Sequence, residues 1–225
     1  MGMLALAGCA GLQGFGLAEI TTYVALGWIV RSFHFNSIDR EIAGLVAEGH
    51  ITNYLSRPVH LLNAMTGLAA GESLFRIAAF TGPITIVVFL VFPVLGPASA
   101  PAAAGFLVSS VLSFLVLTYL HFLVGLIAFV TRSITGIISA KTYALQLLSG
   151  LLMPLAFFPD WLRTASWYLP FRHISHTPVA LYLGRFEGAE AWRNLGWQVF
   201  WVVALFAAAR FCWRRTARRL VIQGG

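Results

Sequence analysis

Five long apolar runs, separated by connections that hold most of the charge, constrain this chain more than any other feature. They run from Leu17 to Phe33, Ile77 to Leu95, Ala102 to Val130, Ile134 to Phe158, and Leu195 to Cys212. As helices, runs of this length cross about 30 Å of hydrocarbon. A lipid-facing segment must satisfy its own backbone hydrogen bonds, which selects helices over open strands. Of the 225 residues, 59% are hydrophobic and only 10% charged, where a soluble domain carries about 25% charged residues. The expected fold is therefore all-α, a polytopic membrane bundle with five transmembrane helices in one domain spanning residues 1–225. Residues 1–16 are Gly-rich and too short to add a span.

The formal charge of +7 is scattered between the runs rather than gathered on a soluble face, so it does not describe a nucleic-acid footprint. It sets topology instead. Arg40, Arg57, Arg76 and Arg132, with Arg31 at a span end and Arg210, Arg214, Arg215, Arg218 and Arg219 at the C-terminus, fall on one side. Arg163, Arg172, Arg185 and Arg193 fall on the other, offset by Asp160, Glu187 and Glu190. By the positive-inside rule the first side is cytoplasmic. The C-terminus and its basic tail, residues 213–225, are then inside. Cys9 and Cys212 are too few and too distant for a disulfide framework. Leu6-Ala7-Gly8-Cys9 has the outline of a lipoprotein cleavage box, but no basic residue precedes it and the apolar stretch before it is short.

Residues 34–76 are polar enough to leave the membrane. Asn36 or Ser37 can cap a helix whose first turn holds Asp39 and Glu41. Ile38, Ile42, Leu45, Val46, Ile51, Tyr54 and Leu55 follow at roughly helical spacing, with an interruption near Gly49 and a stop at Pro58. Such an amphipathic element either lies on lipid headgroups or docks a soluble partner. On the other side, residues 150–184 are broken by Pro154, Pro159, Pro170 and Pro178 into pieces too short to span. Trp161, Trp167, Tyr168 and Tyr182 suit an interfacial aromatic belt. Over residues 159–194 we expect short helices that enter the outer leaflet and return, buried against protein.

These two stretches carry a family resemblance. Ile42 through Pro58, with Glu48-Gly49 and Tyr54-Leu55-Ser56-Arg57-Pro58, resembles the cytoplasmic signature of permease subunits of type-2 ABC exporters. Ser149-Gly150, Pro154, Phe158-Pro159-Asp160-Trp161-Leu162, Leu169-Pro170-Phe171-Arg172, Pro178 and Tyr182-Leu183-Gly184 resemble its outer signature, and the basic end Gln223-Gly224-Gly225 also matches. The resemblance implies a bacterial plasma-membrane exporter subunit, not an enzyme. A separate ATPase subunit would bind ATP and Mg, and a second permease, identical or paralogous, would complete the pathway. It implies ATPase coupling through Glu41, Glu48, Gly49, Tyr54, Arg57 and Pro58. It also implies an outer re-entrant motif of Pro159, Asp160, Trp161, Pro170, Phe171 and Arg172, and a pathway lined by the first and fourth spans. The family usually has six spans, and this chain departs by lacking the first.

The residues themselves contain no Gly-rich phosphate loop ending in Gly-Lys-Ser/Thr, so no nucleotide or other cofactor is expected in this chain. His173 and His176 are three apart without an evident third metal ligand. With Asp160 they would be the acid–base groups of a rival reading, a membrane enzyme acting on lipid or a lipid-linked substrate. Polar residues within spans invite a functional hypothesis: His121 and Gln146 are candidates to line a pathway. Lys141 can snorkel to the cytoplasmic interface, and Glu19 sits near the outer end of its span. For His121 an interhelical hydrogen bond competes with the pathway role. No charged constellation in the sequence selects a substrate class, leaving hydrophobic drugs, lipids and glycoconjugates open.

Overall fold

The computed structural model describes residues 17–55, 60–131, 134–151 and 158–223. Every regular element among them is helical. In chain order these are α1 (Leu17–His34), α2 (Ile38–Ala47), α3 (Thr52–Leu55), α4 (Leu61–Arg76), α5 (Gly82–Val91), α6 (Ala100–Gly125), α7 (Thr135–Leu148), α8 (Asp160–Trp167), α9 (Arg172–Tyr182) and α10 (Gly188–Gln223). Three helices in the described residues are long and apolar enough to cross a membrane: Leu61–Val91, Ala100–Phe129 and Gly188–Arg218. Helix α1 carries Glu19, Thr21, Thr22, Arg31, Ser32 and His34 and is less apolar. Helix α7 has 14 residues, about 21 Å at 1.5 Å per residue, which is short of the hydrocarbon thickness.

The second apolar run needs its boundaries corrected. Its helix begins at Leu61 rather than Ile77 and ends at Val91 rather than Leu95, so residues 61–76 are not loop. Leu61, Leu62, Met65, Ala69 and Ser73 recur on one face and are buried. The charges that read as loop pair along the helix instead, Arg76 Nη2 donating to Glu72 Oε1 at 3.2 Å, with the guanidinium 4.4 Å from the Phe35 ring centre. A π turn, Ile77–Thr81, joins α4 to α5. Pro83 has no N–H to give to the carbonyl four residues back, and the wider turn lets Gly82 N–H reach Ile77 O instead. A Cβ at Gly82 would lie 2.8 Å from that oxygen, so the turn requires glycine.

Helix α6 is the centre of the bundle, packed by α2, α9 and α10. Gly105, Ser109 and Ser113 recur every four residues, and small side chains at this period let another helix approach closely. Ser113 Oγ donates to His173 O of α9 at 2.6 Å. Gln198 of α10, fully buried, donates through Nε2 to Ser113 Oγ at 3.1 Å and His173 O at 2.9 Å, while Ser109 Oγ donates to its Oε1 at 2.9 Å. One amide side chain thus ties three helices. At the far end of α6, Gly125 meets α2: a Cβ there would stand 2.9 Å from Ile42 Cδ1 and 3.2 Å from Asp39 Cα.

Two further boundaries move. Pro178 does not break its stretch but lies inside α9, where burial of His173 through Tyr182, His176 apart, on neighbouring helices offsets the roughly 3 kcal/mol an interior proline costs. Helix α10 starts at Gly188 and runs through the basic tail as 36 continuous residues, so no helix boundary separates the expected span 195–212 from the residues on either side of it. The link from Phe92 to Ser99 is pinned by Leu95 N–H to Thr22 Oγ1 at 2.9 Å, Tyr182 O–H to Leu95 O at 3.1 Å, and Ala98 N–H to Tyr182 O at 3.0 Å.

Candidate functional site

The chain between α1 and α2 turns inward, not outward. His34 Nε2–H donates to Ser110 O of α6 at 2.9 Å. Asn36, expected as a helix cap, is buried; its Nδ2 donates to His34 O and Thr118 Oγ1, and its Oδ1 meets His121 Nδ1 at 2.7 Å. Ser37 occupies the cap position without a side-chain bond. One residue into α2, Asp39 accepts from Arg40 N–H at 3.0 Å and from Lys141 Nζ of α7 at 2.6 Å. The Lys141 and Asp39 side chains are 13% and 3% exposed, so their charges face each other with little solvent between. Arg31, Arg40, His121, Lys141 and Asp39 line a cavity of about 100 Å³ between α1, α2, α6 and α7.

Beyond this seat the α2–α3 turn faces outward. Glu41, Ala47, Glu48, Gly49, His50, Thr52 and Asn53 are exposed, while Ile42 and Ile51 are buried in the core shared by α2, α4, α6 and α10. Gly49 takes φ 74°, a left-handed conformation that ends α2 at glycine's low cost. Glu48 Oε2 and His50 Nδ1 lie 3.2 Å apart on the surface. Tyr54 is half-buried against the same core.

Away from this turn, Pro159 precedes α8, and Asp160 pairs with Arg163 at 2.6 Å. Trp161 is exposed. Pro170 and Phe171 start α9 by accepting from His173 and Ile174 N–H. Arg172 is buried, its guanidinium 3.6 Å from the Trp167 ring centre and its Nη2 3.5 Å from Asn194 Oδ1. His173 Nδ1 bonds Thr177 Oγ1 at 3.0 Å, and His176 Nδ1 bonds Tyr23 O–H at 3.0 Å. Burial first, then the Arg172 charge, pushes both imidazoles down to about 3, so each is neutral at ordinary pH. Among the described residues no hydrogen bond joins Asp160 to either histidine, and no cluster of His, Cys, Asp or Glu could hold a metal.

With this geometry in view, residues 3–224 match the family described as ABC-2 family transporter protein. The chain belongs to the ABC-2 family. It is a membrane permease component of an ABC transporter. No curated protein and no solved structure shows significant similarity to it.

Within this ABC-2 permease the motif residues separate into two groups. Glu48, Gly49 and Tyr54 lie at the α2–α3 turn and in α3, while Glu41 lies in the first turn of α2; Arg57 and Pro58 lie outside the described residues. Pro159, Asp160, Trp161, Pro170, Phe171 and Arg172 gather around α8 and the start of α9. His121 lines the cavity, and its hydrogen bond goes to Asn36 in the link between α1 and α2 rather than to another helix. Gln146 is half-buried on α7 and does not line that cavity. Glu19 is bound to Arg185 at 2.7 Å. Sequence reasoning missed Asn36, Asp39 and Gln198 as partners inside the bundle. The polar residues His34, Asn36, Ser37 and Asp39, close together between two apolar stretches, were the available signal.

Proposed function

We propose that this permease is the membrane-spanning half of an ATP-driven exporter, with five spans formed by α1, α4–α5, α6, α7 and α10, the short α7 being accommodated by local thinning of the bilayer and snorkelling of Lys141. The α2–α3 turn and the C-terminal end of α10 face the cytoplasm of a bacterial plasma membrane, and α8 and α9 form a re-entrant stretch on the outer side. A partner ATPase seats on the turn through Glu41, Glu48, Gly49, Tyr54, Arg57 and Pro58, and holds ATP and Mg. A second permease, a copy or a paralogue, completes the pathway.

The observation that carries this reading is the contrast within α2. Its inner side is wedged on Gly125 of α6, and its far end is presented to solvent. A push on the exposed turn would therefore reach the central helix through a contact with no spare space. The test is co-purification with a soluble ATPase and hydrolysis stimulated by the permease. Glu48→Arg and Arg57→Glu should each abolish stimulation; an unchanged response in both would exclude this docking surface.

A further inference from the structure

The cavity between α1, α2, α6 and α7 holds a charge imbalance that helix packing does not use. Arg31, Arg40 and Lys141 stand on its wall against one carboxylate, Asp39, an excess of two positive charges from three cations and one anion. Asp39 is already committed to Lys141 and to Arg40 N–H. Neither the Arg31 nor the Arg40 guanidinium has an ion-pair partner among the described residues. Arg31 is instead braced by the Trp28 ring, 5.7 Å away.

A second, independent observation comes from His34 on the same wall. It is 1% exposed, and its Nε2–H is spent on Ser110 O. Its Nδ1 has no partner. A buried polar atom without a partner costs on the order of 1–3 kcal/mol, and a ligand in the cavity would supply what the fold does not. The space, about 100 Å³, is several times the roughly 10–15 Å³ that admits one water.

We infer that this cavity binds a phosphate group carried by the molecule that the permease moves. The inference rests on the transport role proposed above and names the chemistry of its substrate. A phosphate monoester carries close to two negative charges at neutral pH, matching the excess, whereas a carboxylate carries one. Guanidinium forks take phosphate oxygens in pairs; the dianion has no P–OH, so His34 Nδ1 is left to accept from a hydroxyl elsewhere on the bearer. The bearer is either an amphiphile with a phosphate head or a soluble phosphate compound.

The test uses the purified full chain in dodecyl maltoside, without any ATPase. Dodecyl phosphate, dodecanoate and inorganic phosphate are titrated calorimetrically. Dodecyl phosphate should bind about tenfold or more tightly than dodecanoate, and Arg31→Gln should weaken it by about tenfold, the loss of one charge-assisted hydrogen-bonded contact. Arg40 is exposed and holds no side-chain partner, so Arg40→Gln keeps the fold and provides a second variant, expected to weaken binding in the same direction. Comparable binding of inorganic phosphate supports a soluble phosphate compound; binding of dodecyl phosphate alone supports an amphiphile. Equal binding of dodecyl phosphate and dodecanoate, or wild-type affinity in both variants, overturns the inference. Failure of ATPase coupling with binding intact would remove the transport role and leave the site; the reverse would remove only the site.

Discussion

Helix α6 and the α4–α5 helix are nearly matched in apolarity, with peak mean hydropathies of 2.3 and 2.1, yet 56% of the apolar window of one is buried and only 6% of the other. Hydropathy reports the solvent a helix tolerates and says nothing about its neighbours. The difference lies in the polar and small positions. Helix α6 carries Ser109, Ser110, Ser113, Thr118 and His121, all buried. Helix α5 buries none of its residues. Between helices in lipid there is little hydrophobic drive, and association depends on close packing and hydrogen bonds. Helix α6 has the means for both.

The comparison breaks most visibly with large-to-small changes. Phe122→Ala, at a fully buried position of α6, should destabilise the purified protein toward the lower end of the roughly 3–5 kcal/mol seen in soluble cores, because an unfolded chain in detergent keeps the ring in an apolar medium. Leu90→Ala, on the exposed face of α5, should change stability by less than about 0.5 kcal/mol. Unfolding in graded denaturing detergent reads both, and equal losses would remove the distinction between the two helices.

Glycine substitutions should carry opposite signs. Gly125→Ala places a methyl against Ile42 and Asp39 and should cost about 1–3 kcal/mol by overpacking. Gly71→Ala on α4 meets nothing within 4 Å and should gain about 0.5–1 kcal/mol from helix propensity. Gln198→Leu, which deletes the amide joining α6, α9 and α10, should cost about 0.6–2 kcal/mol, read by the same unfolding series.

Stability should also depend on pH. His173 and His176 titrate near 6.5 when unfolded and near 3 when folded. The unfolded chain therefore binds more protons between those values, and stability falls as pH drops below about 6.5. The melting temperature should decline from pH 7 to pH 5, with a shallower decline in His176→Gln.

Much of the architecture was legible in the chain. The apolar runs predict the helical class, Gly49 predicts the break after α2, and Pro159 and Pro170 mark the starts of the short helices α8 and α9 that follow them. What was not legible depends on partners distant in sequence. Glu72 and Arg76 read as loop charges until their pairing along α4 lets the helix extend to Leu61. Asp39 read as a helix-dipole acid, and only its meeting with Lys141 across the bundle reveals a cavity. Pro178 read as a breaker because local propensity cannot register the burial that offsets it. The motif resemblance located the α2–α3 turn and the α8–α9 stretch, but not the charged cavity near the first.

In the proposed assembly the α2–α3 turn, and not the α8 end, meets the ATPase. The most direct measurement is photocrosslinking with benzoylphenylalanine placed at His50 or at Trp161, both exposed, in membranes containing the partner ATPase. A permease–ATPase adduct is expected from position 50 and none from position 161. Adducts from position 161 with none from position 50 would contradict that assembly.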